Sequence, residues 1–325
     1  MPLSINNPHF YKLLFMKNII PFLFLLALSV AFIAKAQTVN PKRSIGNCGA
    51  VTTVFNNSFN PIIKQTLLKP DGKIIAAGYG QISEFSGHYN TFIAQYNADG
   101  TPDISFGTNG QATISLAART TCENFTLLPD GKIVGVGSDG LIPLIFRLNA
   151  NGSVDNSFGD NGKTALLFDN ISSGFFNNII VLPDGKLLAG GSSRGGVYGP
   201  AMMKFNADGT LDNSFGNIPG FPGRARVTEL YNIFNVNVNM LVQNDGKILL
   251  AYPSDVTSNI PQVNLEIVRF LVDGTVDNSF GTDGTLTASG INMEGSLSSA
   301  MQPDGKIIFS CTSNNRPLVL IKNTI

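Results

Sequence analysis

The tripeptide Asp-Gly-Lys recurs five times in this chain, at 71–73, 130–132, 184–186, 245–247 and 304–306, in steps of 59, 54, 61 and 59 residues. A period of this size means a repeat architecture, in which one unit cannot bury its own apolar face and must stack on its neighbours. Strand-like segments follow the copies: Ile74-Ile75-Ala76-Ala77, Ile133-Val134-Gly135-Val136, Leu187-Leu188-Ala189, Ile248-Leu249-Leu250 and Ile307-Ile308-Phe309. Proline precedes the aspartate in four of the five copies. Proline presets φ at the first turn position, aspartate bonds its own turn, and glycine takes the left-handed position. Each copy therefore reads as a tight hairpin joining a strand A to a strand B.

A second motif trails the first four copies. It reads Asn97-Ala98-Asp99-Gly100-Thr101-Pro102-Asp103-Ile104-Ser105-Phe106-Gly107, and it returns at 149–159, 206–216 and 272–281. An alternating segment, strand C, precedes each copy, as at 91–96, 144–148, 202–205 and 265–270. A further strand D is expected after it, at 111–116, at 163–167 and from Thr285 onward; the third copy departs, with a longer connection after Gly216. The phenylalanine is expected to plug the C–D connection onto the sheet, and the aspartates to bond their own turns.

The fifth Asp-Gly-Lys is followed by strands A, B and C without D. At the other end, Ser44-Ile45-Gly46-Asn47-Cys48-Gly49 matches Ser105-Phe106-Gly107-Thr108-Asn109-Gly110, and a strand-like run to Phe55 follows. Asn57-Ser58-Phe59 resembles the motif more closely, but it lies only 12 residues before Asp71, too near to leave room for strands D and A. One D, four complete sets and a final A-B-C predict an all-β, five-bladed β-propeller of four-stranded blades. Its ring closes when the N-terminal strand completes the last blade, covering the open edges.

These motifs resemble the delta-60 repeat, and the resemblance covers about residues 44–325. What it implies is a secreted bacterial β-propeller-like protein. It carries over no enzymatic role.

Residues 19–34 are almost wholly apolar, follow Lys17, and precede the small-x-small triplet Ala34-Lys35-Ala36. Interrupted by Pro21, the run is short of the roughly 20 residues of a membrane span. It reads as a signal peptide over 1–36 with cleavage before Gln37 and Met16 as the start of translation. Residues 37–43 then form a linker and 44–325 a single propeller domain. Export places the protein outside the cell, at its surface or in the periplasm, with no membrane span after cleavage. Removing Lys12, Lys17 and Lys35 changes 22 basic against 22 acidic residues to 19 against 22, a net of −3. That balance argues against a nucleic-acid partner. The absence of tryptophan excludes propellers whose repeat is built on it.

Strand parity puts the repeated turns on one face and the variable B–C loops on the other, where binding on a rigid scaffold normally sits. Those loops offer Glu84, His88, Tyr89, Arg194, Tyr198, Tyr252 and Asp255 as candidate binding residues, and the ligand classes are an extracellular protein or a carbohydrate. No catalytic residue is assigned. His88 is the only histidine after cleavage, 14 of the 22 acids belong to the repeated turns, and neither a phosphate loop nor a His-Glu-x-x-His motif occurs. The expected protein is a monomeric, non-catalytic binding or scaffold module without cofactor. The alternatives are a propeller hydrolase or lyase acting on glycans through a pair among Glu84, Asp139, Asp255 and Glu294, and a purely structural surface protein. Calcium on Asn97, Asp99 and Asp103 is the alternative to turn bonding, although no bidentate glutamate closes that loop. Cys48, Cys122 and Cys311 are expected to stay unpaired, because they fall on different faces and connections. If the N-terminal strand closes the ring, deleting residues 37–55 should lower the melting temperature sharply or yield an aggregating product. An unchanged, monomeric deletion variant in thermal unfolding and size exclusion would contradict closure.

Overall fold

The computed structural model describes residues 50–55, 58–84, 86–171, 173–194, 199–227, 238–255, 263–289, 293–313 and 316–322. The described chain is all-β. The first sheet contains β1 (Phe59–Leu68), β2 (Ile74–Gln81), β3 (Tyr89–Tyr96) and β4 (Gln111–Ile114), and the second β5 (Asn124–Leu127), β6 (Ile133–Asp139), β7 (Ile142–Leu148) and β8 (Lys163–Ala165). The third contains β9 (Ser173–Val181), β10 (Leu187–Arg194), β11 (Gly199–Phe205) and β12 (Arg224–Arg226), and the fourth β13 (Asn239–Val242), β14 (Ile248–Asp255), β15 (Val263–Phe270) and β16 (Thr285–Ala288). Three strands make the fifth: β17 (Met293–Met301), β18 (Ile307–Ser313) and β19 (Arg316–Lys322). Every sheet is an antiparallel meander in chain order. Among the described residues no helix is long and apolar enough to cross a membrane.

The Asp-Gly-Lys copies are the A–B hairpins. In the first, Gly72 N–H bonds Lys69 O at 2.9 Å, Lys73 N–H bonds Asp71 Oδ1 at 3.1 Å, and Gly72 sits at φ 84°. That left-handed value costs any residue with a Cβ but not glycine. Strands B and C form the interior of each sheet, and Ala76–Ala77, Val134–Val136 and Leu187–Ala189 on B are buried.

The aspartate of Asp-x-Ser-Phe-Gly does more than close its own turn. Asp103 Oδ1 accepts from Ser105 N–H and Oγ, while Oδ2 accepts from Lys73 Nζ at 2.8 Å and from Gln95 Nε2. Asp155 takes Lys132 at 2.8 Å and Arg147 Nε at 2.7 Å; Asp212 takes Lys186 at 2.8 Å; Asp277 takes Arg269 Nε at 2.8 Å and Lys247 at 3.1 Å. The lysine of the hairpin thus ties the A–B turn to the C–D connection of the same sheet. Lys306, in the fifth sheet, bonds Asp304 of its own turn at 2.7 Å.

The phenylalanine plug joins neighbouring sheets, which corrects the expectation that it serves its own. Phe106, Phe158 and Phe215 are buried beneath the turn glycines Gly152, Gly209 and Gly274 of the following sheet. A Cβ at Gly209 would stand 2.8 Å from the Phe158 ring, so the aromatic needs glycine above it. The next backbone N–H seals each joint: Gly107 to Asn151 O at 2.8 Å, and Gly159 to Asp208 O and Gly216 to Asp273 O at 2.7 Å each. At the first strands, amides bridge sheet to sheet: Gln65 Oε1 accepts from Phe125 N–H, Asn124 donates to Asn177 O, Asn177 to Val238 O, and Asn239 to Leu297 O. The five sheets therefore follow one another in chain order, each packed on the next.

Residues 44–49 of the expected N-terminal strand lie outside the described residues. Residues 51–55 form no ladder with a named strand, but they lie on the first sheet. Phe55 packs on Phe92 and beside Tyr96, with ring centroids of Phe55 and Phe92 4.9 Å apart, and Thr53 Oγ1 bonds the Tyr96 hydroxyl. The third sheet supplies the strand that its irregular sequence hid, β12. Cys122 and Cys311 are free and buried, and burial pushes the Cys122 thiol up to about 12.

Truncating the plug tests the joint. Phe158→Ala is expected to cost about 4 kcal/mol, from lost burial and the cavity left beneath Gly209. A loss under about 1 kcal/mol in denaturant unfolding would show that the joint does not depend on it.

The buried carboxylates set a pH dependence. Burial alone would raise the Asp212 value, but Lys186 and Ser214 outweigh it, and the carboxyl sits at about 2 against an ordinary 3.8. Asp103, held by Lys73 first of all, and Asp277, held by Ser279 first of all, are also depressed. In Asp155, too, bonds from Lys132 and Ser157 overcome burial. A carboxyl depressed in the fold contributes its stability fully above the unfolded value and loses it as pH falls through the folded one. Unfolding midpoints should therefore drop between pH 3.8 and about 2. Asp212→Asn should be less stable at pH 7 and lose less over that window. Equal acid losses in the two proteins would contradict the assignment.

Candidate functional site

A cleft of about 350 Å³ opens where the B–C connections and the starts of the first strands meet. Three sheets line it: Tyr79 and Tyr89 from the first; Ser138 and Gly140 from the second, with Thr121 and Glu123 leading into it; Gly174, Phe175 and Arg194 from the third. Each of these positions falls in a B–C connection or the strand ends beside it, in a D–A connection, or at the start of an A strand. All of them emerge on the face opposite the repeated turns, as strand parity requires.

Tyr79 and Tyr89 meet edge to face at 5.9 Å, and Gln81 Nε2 donates to the Tyr89 hydroxyl at 3.1 Å. Lys64 Nζ pairs with Glu123 at 2.9 Å and lies 5.3 Å over the Tyr79 ring. Burial opposes the Lys64 charge, but the Glu123 carboxylate more than compensates and raises its value. Burial, then the nearby Glu123 charge, pushes the Tyr79 phenol up. Tyr79 thus stays a neutral donor and Glu123 a neutralised acid. Opposite them, the Arg194 guanidinium lies 4.9 Å over Phe175, and its Nε is buried without a hydrogen-bond partner. Thr121 and Ser138 bond each other at the floor.

Two of the seven expected binding residues, Tyr89 and Arg194, line this cleft. Glu84 and His88 are exposed in the connection between β2 and β3, away from the lining. Tyr252 is corrected: it lies within β14 and is 1% exposed, in a core with Leu250 and Phe270. Burial raises its phenol strongly. Strand β14 runs farther than the loop boundary drawn from the sequence, which takes Tyr252 inward. Tyr198, like the side chains of Asp255 and Glu294, lies outside what is described. Tyr79 opens a B–C loop without standing out there from other aromatics, whereas Glu123 and Phe175 lie in a D–A connection and at the start of β9, outside the B–C loops altogether.

Among the described residues, the carboxylate pair expected of a glycosidase or lyase does not assemble in this cleft. Glu123 is the acid lining it, and it is paired with Lys64; Asp139 pairs instead with Lys163 at 3.7 Å. At the turn face, Asp103 Oδ2 accepts from the Lys73 ammonium and Asp99 Oδ1 from Thr101 N–H and Oγ1. Among the described residues no cluster of three or more His, Cys, Asp or Glu side chains could hold a metal.

Comparison with known proteins fits the repeat. Residues 69–106, 128–158, 182–215 and 243–280 match a family described as a domain of unknown function (DUF5122) β-propeller. Each matched stretch runs from an Asp-Gly-Lys hairpin to its phenylalanine plug, so the chain carries β-propeller repeats. Comparison with curated proteins finds no match. Among solved structures, a polysaccharide lyase of family PL25, an ulvan lyase bound to -[GlcA(1-4)Rha3S]-, is similar at 11% identity and a TM-score of 0.43, over 84% of this chain and 72% of that one. An exo-1,5-α-L-arabinanase from a bovine ruminal metagenomic library is similar at 11% and 0.41, over 82% and 92%. The β-propeller domain of the trilobed protease from Pyrococcus furiosus is similar at 13% and 0.36, over 82% and 83%.

Proposed function

We propose that this chain is an exported, five-bladed propeller that binds a ligand in the cleft between its first three sheets and catalyses nothing there. The observation that carries this reading is the cleft itself. It joins aromatic rings and hydrogen-bonding groups from three rigid sheets, yet Glu123, the one acid among its described lining residues, is paired with Lys64. General acid–base cleavage of a glycoside needs two carboxylates, one on each side of the scissile bond. Binding needs a largely preformed, aromatic-lined concavity with a few placed polar groups, and ligand clefts start at roughly 300 Å³.

Closure by the N-terminal segment belongs to the same reading. Ile114 of β4, with Leu116 beside it, packs against Leu144, Phe146 and Leu148 of the second sheet. Phe55 meets Phe92, Ala94 and Tyr96, the same C-strand positions of the first sheet. The run to Phe55 therefore lies on the first sheet as a fourth strand of the preceding blade would. An apolar cleft lined by Val51, Phe55, Ile63 and Ala76 remains beside it, which fits a position where the last blade docks.

Saccharides are the ligand class this cleft suits, since rings such as Tyr79 and Phe175 stack on sugar faces while Tyr and Ser hydroxyls bond sugar hydroxyls. Probing an array of oligosaccharides with the exported protein should reveal bound members, and Tyr79→Ala and Phe175→Ala should each weaken them at least tenfold. Retention of every bound member by both variants would place the site elsewhere.

A further inference from the structure

We propose that the ligand in this cleft is an acidic saccharide, whose carboxylate or sulfate is held by Arg194; the inference rests on the binding reading above and adds the charge. Arg194 is the cation of the site that the fold leaves uncompensated. Lys64, which also borders the cleft, has Glu123 at 2.9 Å. Elsewhere Arg147 has Asp155, Arg269 has Asp277 and Arg226 has Asp169 at 2.8 Å. Arg194 instead lies on the Phe175 ring, and its buried Nε meets no acceptor. A half-buried guanidinium whose Nε has no acceptor favours an anion, and its planar fork fits carboxylate or sulfate oxygens.

A second cation favours an anion. Arg119 stands at the rim: a Cβ at Gly140 would come within 3.5 Å of its Cδ, and its side chain is exposed. The Glu123–Lys64 pair sums to zero, so the described charges around the cleft leave a positive excess. Its size favours a sugar over an acidic peptide. At about 350 Å³ the space is compact and gathered between three sheet ends, not an extended groove for a backbone.

The test uses the exported protein and an array of uronate-containing, sulfated and neutral oligosaccharides, with a glutamate-rich peptide as the competing anion. Calorimetry follows on the strongest binder and, for a uronate, on its methyl ester. The expected result is binding confined to acidic members, weakened at least tenfold by Arg194→Gln and by esterification, and partly recovered in Arg194→Lys. The melting temperature of Arg194→Gln should stay level or rise, because the lost charge has no partner in the fold. Neutral members bound as tightly as acidic ones, or affinity unchanged by Arg194→Gln, would overturn the charge assignment while leaving the cleft a binding site. Equal affinity for the glutamate peptide would overturn the saccharide class. An array with no bound member would defeat the binding reading itself, and this inference with it.

Discussion

An aromatic ring buried beneath a neighbour's glycine organises this molecule. A four-stranded meander has two faces and cannot cover both alone. Here each of the first three sheets sends its Ser-Phe-Gly phenylalanine under the turn of the next, and only glycine leaves room for the ring. Burying one such side chain contributes about 2 to 3 kcal/mol, so each joint is a sizeable share of a domain's net stability. The joints are also directional, linking each sheet to its successor. In repeat arrays, stability then depends largely on nearest-neighbour terms, and the amide bridges at Gln65, Asn124, Asn177 and Asn239 reinforce the same contacts at the first strands.

The two faces divide the chemistry. On the turn face, the aspartates at 103, 155, 212 and 277 each hold the hairpin lysine of their own sheet, with a second polar or cationic partner from strand C. That face is rich in charge, but its charges are mutually satisfied. The opposite face carries no repeated pairing, and the strand ends there differ from sheet to sheet. Its cleft is rigid because its lining sits on or beside strand ends fixed by the plugs.

Most of the architecture was legible in the sequence, because turn chemistry is local. The spacing of Asp-Gly-Lys, the left-handed glycines and the A-to-D order all follow from a few adjacent residues. The lysine of the hairpin was not legible in the same way. It recurs in every copy, but in the first four its partner lies 23 to 30 residues away, as Lys132–Asp155 and Lys73–Asp103 show, and no local rule connects them. The phenylalanine was legible as buried but not as belonging to the next sheet, since that assignment needs the packing order. At the site, the face was deducible from strand parity and the residues only in part. Tyr89 and Arg194 lay where loops were expected, whereas Tyr252 was lost to a longer β14. Glu123 and Phe175 became visible only when three sheets were set side by side.

The uncompensated arginine gains its meaning from this contrast. Among the described residues the buried cations Arg147, Lys204 and Arg269 each have an aspartate, so the fold has the local means to pair Arg194, and Glu123 lines the same cleft. Glu123 instead takes Lys64, and the guanidinium is left with an aromatic face. Stacking on Phe175 offsets part of the desolvation of the guanidinium, on the order of 1 to 2 kcal/mol, without using its hydrogen-bonding edge. An arginine held flat on a ring with that edge unspent is preorganised: an arriving anion need not displace an internal partner or order a flexible side chain before bonding it. Pairing Arg194 with Glu123 would have made the fold more comfortable and the cleft weaker, because a ligand would then have to break an ion pair to form one.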